Sequence, residues 1–135
     1  MVGSEELLER ALFGEQPVAE AVVAELEGEP VGFALFYTTF STWLCLPGIW
    51  LEDLYVTPAR RRGGVGRVLL THVAQVAVDR GHGRLEWAAL NWNAPALRFY
   101  EQLGATICEE WQIHRLHGDA LRTVAAEAAG APRRA

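Results

Sequence analysis

The stretch Arg61-Arg62-Gly63-Gly64-Val65-Gly66 decides the fold, because it separates a strand-like run from a helix-like run. Residues 51–56 before it read Leu-Glu-Asp-Leu-Tyr-Val, and residues 65–78 after it space their apolar side chains for a helix with one buried face. A glycine-rich turn that ends a strand and opens a helix exposes backbone N–H groups and the positive end of the helix dipole. With the nearby arginines this predicts an anion cradle, although a plain turn with basic surface residues gives the same pattern.

The turn differs from two common phosphate loops. Arg67 and Val68 follow Gly66, where a Walker loop needs Lys and Ser or Thr. Leu69 stands where the dinucleotide fingerprint needs its third glycine. The remaining pattern is Arg-x-x-Gly-x-Gly.

This pattern resembles the pyrophosphate-binding motif of the GNAT acetyltransferase superfamily, which holds acetyl-CoA. The resemblance extends over about residues 18–118, through Gly32–Tyr37, Leu51–Val56 and Asn91–Ala105. The combination Leu-Glu-Asp, Trp-Asn-x-Pro and Phe-Tyr is most similar to the branch of spermidine/spermine and thialysine N-acetyltransferases. The resemblance implies an α/β fold with a mixed sheet, acetyl-CoA as cosubstrate, a small-molecule amine as acceptor and a homodimer.

Local patterns predict one domain over residues 1–125 and a flexible tail over 126–135. The strand–helix–strand unit from 49 to 90 predicts a parallel pair, and the hairpin before it makes the sheet mixed. The strand and helix that the family usually places first are not recognised, so we expect an N-terminally shortened domain. The predicted elements are a helix at 5–13, strands at 19–26 and 31–40 with a turn at 27–30, a strand at 49–56, a helix at 65–80, a strand at 84–90, a helix at 95–103 and one or two strands within 105–116.

Composition narrows the class of protein. The chain has 135 residues, half of them hydrophobic, and no apolar run of the ~18 residues that span a bilayer. Its two cysteines lack CxxC spacing, its histidines lack HExxH spacing, and no secretory signal opens it. We therefore expect a cytoplasmic protein without a metal or a membrane partner. A net charge of −5 argues against nucleic acid and mildly favours a cationic substrate.

The acid pair Glu52 and Asp53 interrupts an apolar strand. Acetyl transfer to an alkylamine needs a base, because only about one molecule in a thousand is unprotonated at neutral pH when the amine pKa is ~10.4. Glu52 is the candidate base, and the resemblance associates both acids with amine binding or deprotonation. Adjacent strand residues point to opposite faces unless a bulge intervenes. The alternative is that these acids pair with nearby arginines.

The resemblance implies that Tyr100 protonates the leaving CoA thiolate, whereas helical periodicity alone favours a core tyrosine. Asn93 is expected to contact the pantetheine arm, or to cap the following helix. The resemblance implies substrate contacts at Glu52, Asp53, Glu86, Trp87 and Ala88. It implies cofactor contacts at Leu54, Tyr55, Val56, Arg61, Arg62, Gly63, Gly64, Val65, Gly66, Arg67, Asn93, Ala94, Pro95, Ala96 and Tyr100.

Asn91 replaces a carboxylate that is typical of the diamine branch, which puts the polyamine acceptor in question. The sequence therefore predicts an N-acetyltransferase for a primary amine of a small molecule: a diamine, a polyamine or a thialysine-like amino acid. Two alternatives stay open. One is acetylation of a protein or another amine within the same superfamily, and the other is a non-catalytic acetyl-CoA-binding module.

Overall fold

The computed structural model describes residues 3–130, which fall into two compact units divided between Leu90 and Asn91. The first unit carries the sheet and the second is helical. In chain order the helices and strands are α1 (Glu5–Phe13), β1 (Glu20–Leu26), β2 (Glu29–Ser41), β3 (Leu46–Val56), a 3-10 helix (Pro58–Arg60), α2 (Val65–Asp79), β4 (Leu85–Glu86), α3 (Ala94–Gln102), α4 (Gly118–Ala126) and a second 3-10 helix (Glu127–Gly130).

The four strands form one mixed sheet in the order β1-β2-β3-β4. The first three are antiparallel, and β4 pairs with β3 in parallel, as the strand–helix–strand pattern predicts. The β1–β2 hairpin turns through Glu27 and Gly28, whose φ angles are 52° and 82°. Two central residues with positive φ match the right-handed twist of a two-residue hairpin, so β2 begins at Glu29, earlier than predicted.

The core lies between α2 and one face of the sheet. The buried residues of α2 recur at helical spacing, and Phe36, Ile49 and Val73 are the largest fully buried side chains. Burying a side chain of this size contributes about 1.5–3 kcal/mol. A Cβ at Gly32 would lie 2.6 Å from the Tyr55 carbonyl oxygen and 3.2 Å from Leu69 Cδ1. Glycine is therefore needed where α2 crosses the sheet.

An ion pair ties the end of α2 to the edge strand β1. Arg80 donates from Nη1 and Nη2 to the two carboxylate oxygens of Glu20, at 2.8 and 2.6 Å. These hydrogen bonds hold the pKa of Glu20 below its ordinary value. The arginine also lies just past the C-terminal end of the helix, where a cation interacts favourably with the dipole.

Three predictions about secondary structure are wrong. The predicted strand 84–90 covers only Leu85–Glu86, and within the described chain residues 105–117 form no strand. Their apolar content supported a strand prediction, but a strand also needs a partner, and the apolar side chains Ile107, Trp111 and Ile113 are exposed. Helix α4 was not predicted, although its run Ala-Leu-Arg-Thr-Val-Ala-Ala favours a helix.

The predicted tail falls partly within this helical region. Residues 127–130 form the second 3-10 helix, and residues 131–135 lie outside the described part of the chain. The expectation of a flexible end is therefore untested for the last five residues.

Candidate active site

The glycine-rich turn leaves the start of α2 open. Gly64 is the N-cap, with φ 86° and ψ 1°, and no side chain caps this helix in the described structure. The first N–H bonded within the helix belongs to Val68, which donates to the Gly64 carbonyl at 3.0 Å. The preceding N–H groups, of Val65, Gly66 and Arg67, are the ones a helix start offers to an anion.

Backbone conformation in the turn agrees with a binding role. Arg62 adopts φ 69°, a left-handed conformation that costs a non-glycine residue about 1–2 kcal/mol. Two residues later Gly64 is left-handed again, and a Cβ built there meets no atom within 4 Å. Alternating left-handed residues turn successive N–H groups inward, and a strained residue retained in such a turn points to function.

Arg61 is tied back to the strand that delivers the turn. Its Nε donates to the Val56 carbonyl oxygen at 3.0 Å, and its guanidinium carbon lies 5.8 Å from the centre of the Tyr55 ring. These contacts fix the turn against the end of β3. Arg62 and Arg67 are exposed on the same segment. Unlike the guanidinium group of Arg61, those of Arg62 and Arg67 do not contact the end of β3.

One edge of β3 is open along the half that leads to the turn. β2 pairs with β3 over nearly its whole length, but β4 pairs only with Ile49 and Trp50. Beyond Trp50, the second edge of β3 has no strand partner among residues 3–130. The backbone at Leu54–Val56 can therefore hydrogen-bond an extended ligand, as an open edge does when a strand is added.

A bulge brings the two acids to the same face of the sheet. Phe36 pairs with Leu51 and Leu35 pairs with Asp53, so Glu52 is the extra residue on β3. Leu51 faces α2 together with its buried partner Phe36. Leu54 also faces α2, because its partner Ala34 is fully buried. Glu52 and Asp53, the two residues between Leu51 and Leu54, lie on the opposite face, which resolves the conflict that strict alternation would impose.

The surroundings of Glu52 are aromatic. Trp50 Nε1 donates to Glu52 Oε2 at 3.0 Å, and Tyr37 is the cross-strand partner of Trp50. Burial raises the pKa of Tyr37, and the nearby charge of Glu52 raises it further. Within the described residues neither Glu52 nor Asp53 forms an ion pair with an arginine. The alternative reading of these acids as structural ion pairs thus finds no support.

Of the predicted substrate residues at the end of β4, Glu86 lies in the strand, whereas Trp87 and Ala88 lie in the loop after it. Glu86 is the parallel partner of Trp50, so its side chain shares the face of Glu52 and Asp53. Arg84 Nε lies 3.3 Å from Glu86 Oε1, and this ion pair balances part of the acidic charge. Trp87, half-buried, and Ala88, exposed, follow the strand. The structure therefore places three predicted carboxylates on one sheet face.

The remaining predicted residues belong to the second unit. Asn93 caps α3, because its Oδ1 accepts from the Ala96 N–H at 3.4 Å, and Pro95 occupies the first turn. This capping engages one lone pair of the side-chain oxygen, which leaves its other lone pair and the amide NH₂ for a cofactor contact. Tyr100 is half-buried, with its ring 5.6 Å from that of Phe99. Burial raises the pKa of Tyr100, which keeps the phenol protonated at neutral pH.

Sequence reasoning missed Trp50 and Tyr37. Each reads as an apolar strand residue, and their relation to Glu52 depends on the register between β2 and β3. The spacing of Trp50 and Glu52, two residues apart on one strand, was the available signal, because such residues share a face. It was not decisive, since an indole on a strand is more often part of a core.

Residues 3–130 contain neither a metal-binding cluster nor a helix that could span a membrane. No cluster of three or more His, Cys, Asp or Glu there is arranged to hold a metal ion. No helix in that range has the length and apolar character needed to cross a bilayer.

Comparison with known proteins gives three kinds of match. The model of the Acetyltransferase (GNAT) family matches residues 3–105. A thialysine N-epsilon-acetyltransferase from Bos taurus is 41% identical over 133 residues, which is 90% of this chain and 78% of the relative. An L-ornithine N(5)-acetyltransferase from Arabidopsis thaliana is 44% identical over 93 residues, 69% of this chain, but the match spans only 41% of that relative's length. Among solved structures, an integron cassette protein from the mobile metagenome of V. cholerae has a TM-score of 0.78 and 28% identity, covering 91% of this chain and 78% of the other.

Gly64→Asp is expected to abolish most acetyl-CoA binding, because a carboxylate would stand where the pyrophosphate approaches the start of α2. Isothermal titration calorimetry measures the loss. Gly28→Asp is the matched control, since Gly28 also has positive φ and open space around its Cβ position. Both substitutions should lower the melting temperature similarly, and only the one at Gly64 should weaken binding. Equal affinities for the two variants would refute the cradle.

Proposed function

Because this chain belongs to the GNAT family of acetyltransferases, we propose that it transfers the acetyl group of acetyl-CoA to a primary amine of a small cationic molecule. The mixed α/β fold and the likeness to the diamine and thialysine branch are as the sequence predicted. The observation that carries the proposal is the bulge in β3. It puts Glu52 and Asp53 on one face of the same strand whose end leads into the anion cradle.

The anion cradle and the open edge of β3 match two different portions of acetyl-CoA, the pyrophosphate and the pantetheine arm. The N–H groups of Val65, Gly66 and Arg67, with the charges of Arg62 and Arg67, suit the pyrophosphate. The backbone of Leu54–Val56 suits the amide-bearing pantetheine arm, which binds like an added strand. The Val56 carbonyl already accepts from Arg61, so ladder-like bonds to the arm fall mainly to the other backbone groups of this edge.

Bound acetyl-CoA supplies a thioester carbonyl that an amine can attack. Glu52 would accept the proton that the ammonium group must lose, directly or through water. Asp53 and Glu86 lie on the same face and add negative charge, which favours a cationic acceptor over a neutral one. The ion pair of Glu86 with Arg84 makes Asp53 the stronger of these two attractions.

Tyr100 would donate its phenolic proton to the departing sulfur. Burial raises the pKa of Tyr100, so the phenol carries its proton at neutral pH when the sulfur departs. As the amide forms, the nitrogen would lose its second proton to solvent, the phenolate left behind would recover a proton from solvent, and Glu52 would release there the proton taken from the ammonium group. In this scheme base and acid are separate groups, and neither changes role within one turnover.

Two relatives and the residue Asn91 narrow the choice of amine acceptor. The bovine relative is described as acting on thialysine and the plant relative on L-ornithine, both amino acids with a terminal side-chain amine. Asn91 stands where the diamine branch carries a carboxylate. We therefore favour a thialysine-like amino acid over spermidine. A thiol-release assay with acetyl-CoA and a panel of amino acids, diamines, polyamines and peptides tests this. If none of the amines in the panel causes thiol release, a non-catalytic acetyl-CoA-binding module is favoured.

The homodimer implied by the family and a cytoplasmic location stay predictions. A partner copy would cover apolar surface, because exposed Val23 and Phe33 lie on the sheet face opposite α2. Sedimentation at micromolar concentration would decide the oligomeric state.

Glu52→Gln is expected to lower turnover about 100-fold or more, the scale of a lost general base. The loss should be largest at low pH. Below the amine pKa, each unit by which the pH falls lowers the unprotonated fraction of the amine about tenfold, so the reaction depends more on a base. Steady-state kinetics from pH 6 to pH 10, roughly the range spanned by the reference pKa values of His and Lys, measures it. Glu25→Gln, on exposed β1, is the control. A raised KM with unchanged kcat would assign Glu52 to binding alone, and wild-type constants would remove it from the mechanism.

Tyr100→Phe is expected to reduce kcat by about 10- to 1000-fold, because the thiolate would leave without a proton donor. Acetyl-CoA affinity, measured by calorimetry, should stay within about twofold of wild type, since the hydroxyl acts mainly when the thiolate departs. Near-normal turnover would assign Tyr100 to packing within the second unit.

A further inference from the structure

The side chain of Glu52 has a defined hydrogen-bond partner. Trp50 Nε1 donates to Glu52 Oε2 at 3.0 Å, and the two residues share the sheet face opposite α2. The indole N–H is a donor only, so it can engage the carboxylate but cannot compete for a proton. The bond engages one lone pair of Oε2, so Oε1 and the second lone pair of Oε2 can still accept a proton from an amine or a water.

The two residues differ in how firmly the fold holds them. Trp50 is the last residue of β3 with a partner on both edges, Tyr37 on β2 and Glu86 on β4, and its indole is half-buried. Glu52 is exposed and is the unpaired residue of the bulge. A flexible glutamate in such a place has several rotamers, and a rigid neighbour that bonds one carboxylate oxygen reduces them.

We propose that Trp50 is a positioning residue for Glu52, holding the carboxylate in one orientation on the acceptor side of the sheet. This inference rests on the proposed function, in which Glu52 is the base. It assigns to Trp50 an effect on turnover that works only through Glu52. Trp50 itself touches neither the amine nor the thioester in this role.

Tyr37 is the cross-strand partner of Trp50 and shares its sheet face. Burial raises the pKa of Tyr37, and the nearby charge of Glu52 raises it further. The carboxylate is therefore near the Tyr37–Trp50 pair. A glutamate extended away from that pair, into solvent, would interact with neither ring.

The competing explanation is that Trp50 only packs the sheet. Packing and positioning differ in their dependence on Glu52. A packing defect would slow the enzyme whether or not the carboxylate is present, whereas a positioning defect vanishes once the carboxylate is removed. A double-mutant cycle separates the two.

The cycle uses Trp50→Phe, which keeps an aromatic ring and removes the N–H, together with Glu52→Ala and the double variant. We expect Trp50→Phe alone to lower kcat about 3- to 10-fold, the scale of one hydrogen bond, with the KM for acetyl-CoA unchanged. In the Glu52→Ala background the same substitution should change kcat by less than about twofold.

Three outcomes would overturn the inference. Equal losses in both backgrounds would make Trp50 a packing residue. Wild-type kcat for Trp50→Phe would show that Glu52 needs no such support. If Glu52→Ala itself retains full turnover, the proposed base fails, and the positioning role fails with it. The first two outcomes leave the proposed acetyl transfer intact, so the two levels of the proposal are distinguished.

A measurement on the intact indole covers the case in which Trp50→Phe does not fold. The chain has five tryptophans, and their indole N–H signals can be resolved by NMR. Exchange of the Trp50 indole proton with solvent should accelerate on Glu52→Ala, because its acceptor is gone, while the other four signals stay unchanged. An unchanged exchange rate for Trp50 would overturn the inference.

Discussion

Within residues 3–130, β4 pairs with strand β3 only at Ile49 and Trp50, and the properties of the site follow from that limit. Up to Trp50 the strand is a fixed member of the sheet. Beyond it, β4 no longer pairs, so one edge is open to a ligand and the backbone can accommodate an extra residue. The bulge at Glu52 lies in this half, where a disrupted ladder costs least because it has a partner on one side only.

The two faces of β3 then serve different ends. Toward α2 the strand presents Ile49, Leu51 and Leu54, and the close approach at Gly32 lets the helix lie against them. Away from α2 it presents the acids. The helix that buries one face of the strand also begins after its N-cap Gly64, so the packing that stabilises the sheet sets the position of the proposed anion cradle. Stability and the proposed cofactor binding therefore depend on the same strand–turn–helix unit.

The parts predicted from sequence were those whose signals are local. These features depend on residues that are close together in the sequence: the hairpin, the glycine turn, the starts of α1 and α2 and the cap at Asn93. The length of β4, the bulge and the bond from Trp50 to Glu52 depend on pairing between distant segments, which apolar content does not specify. From sequence, both acids could share a face only if a bulge intervened in the strand. Whether the bulge is present depends on the register between β2 and β3, which the sequence does not specify.

Amide hydrogen exchange by NMR, with and without CoA, tests most directly whether the open edge and the helix start act as one cofactor site. We expect CoA to slow exchange in two segments together: amides of Leu54–Val56 that are not bonded to β2, and the amides of Val65, Gly66 and Arg67. The amides of β1, at the opposite edge of the sheet, should be unaffected. Unchanged exchange at both β3 and the start of α2 in saturating CoA would show that they form no cofactor site.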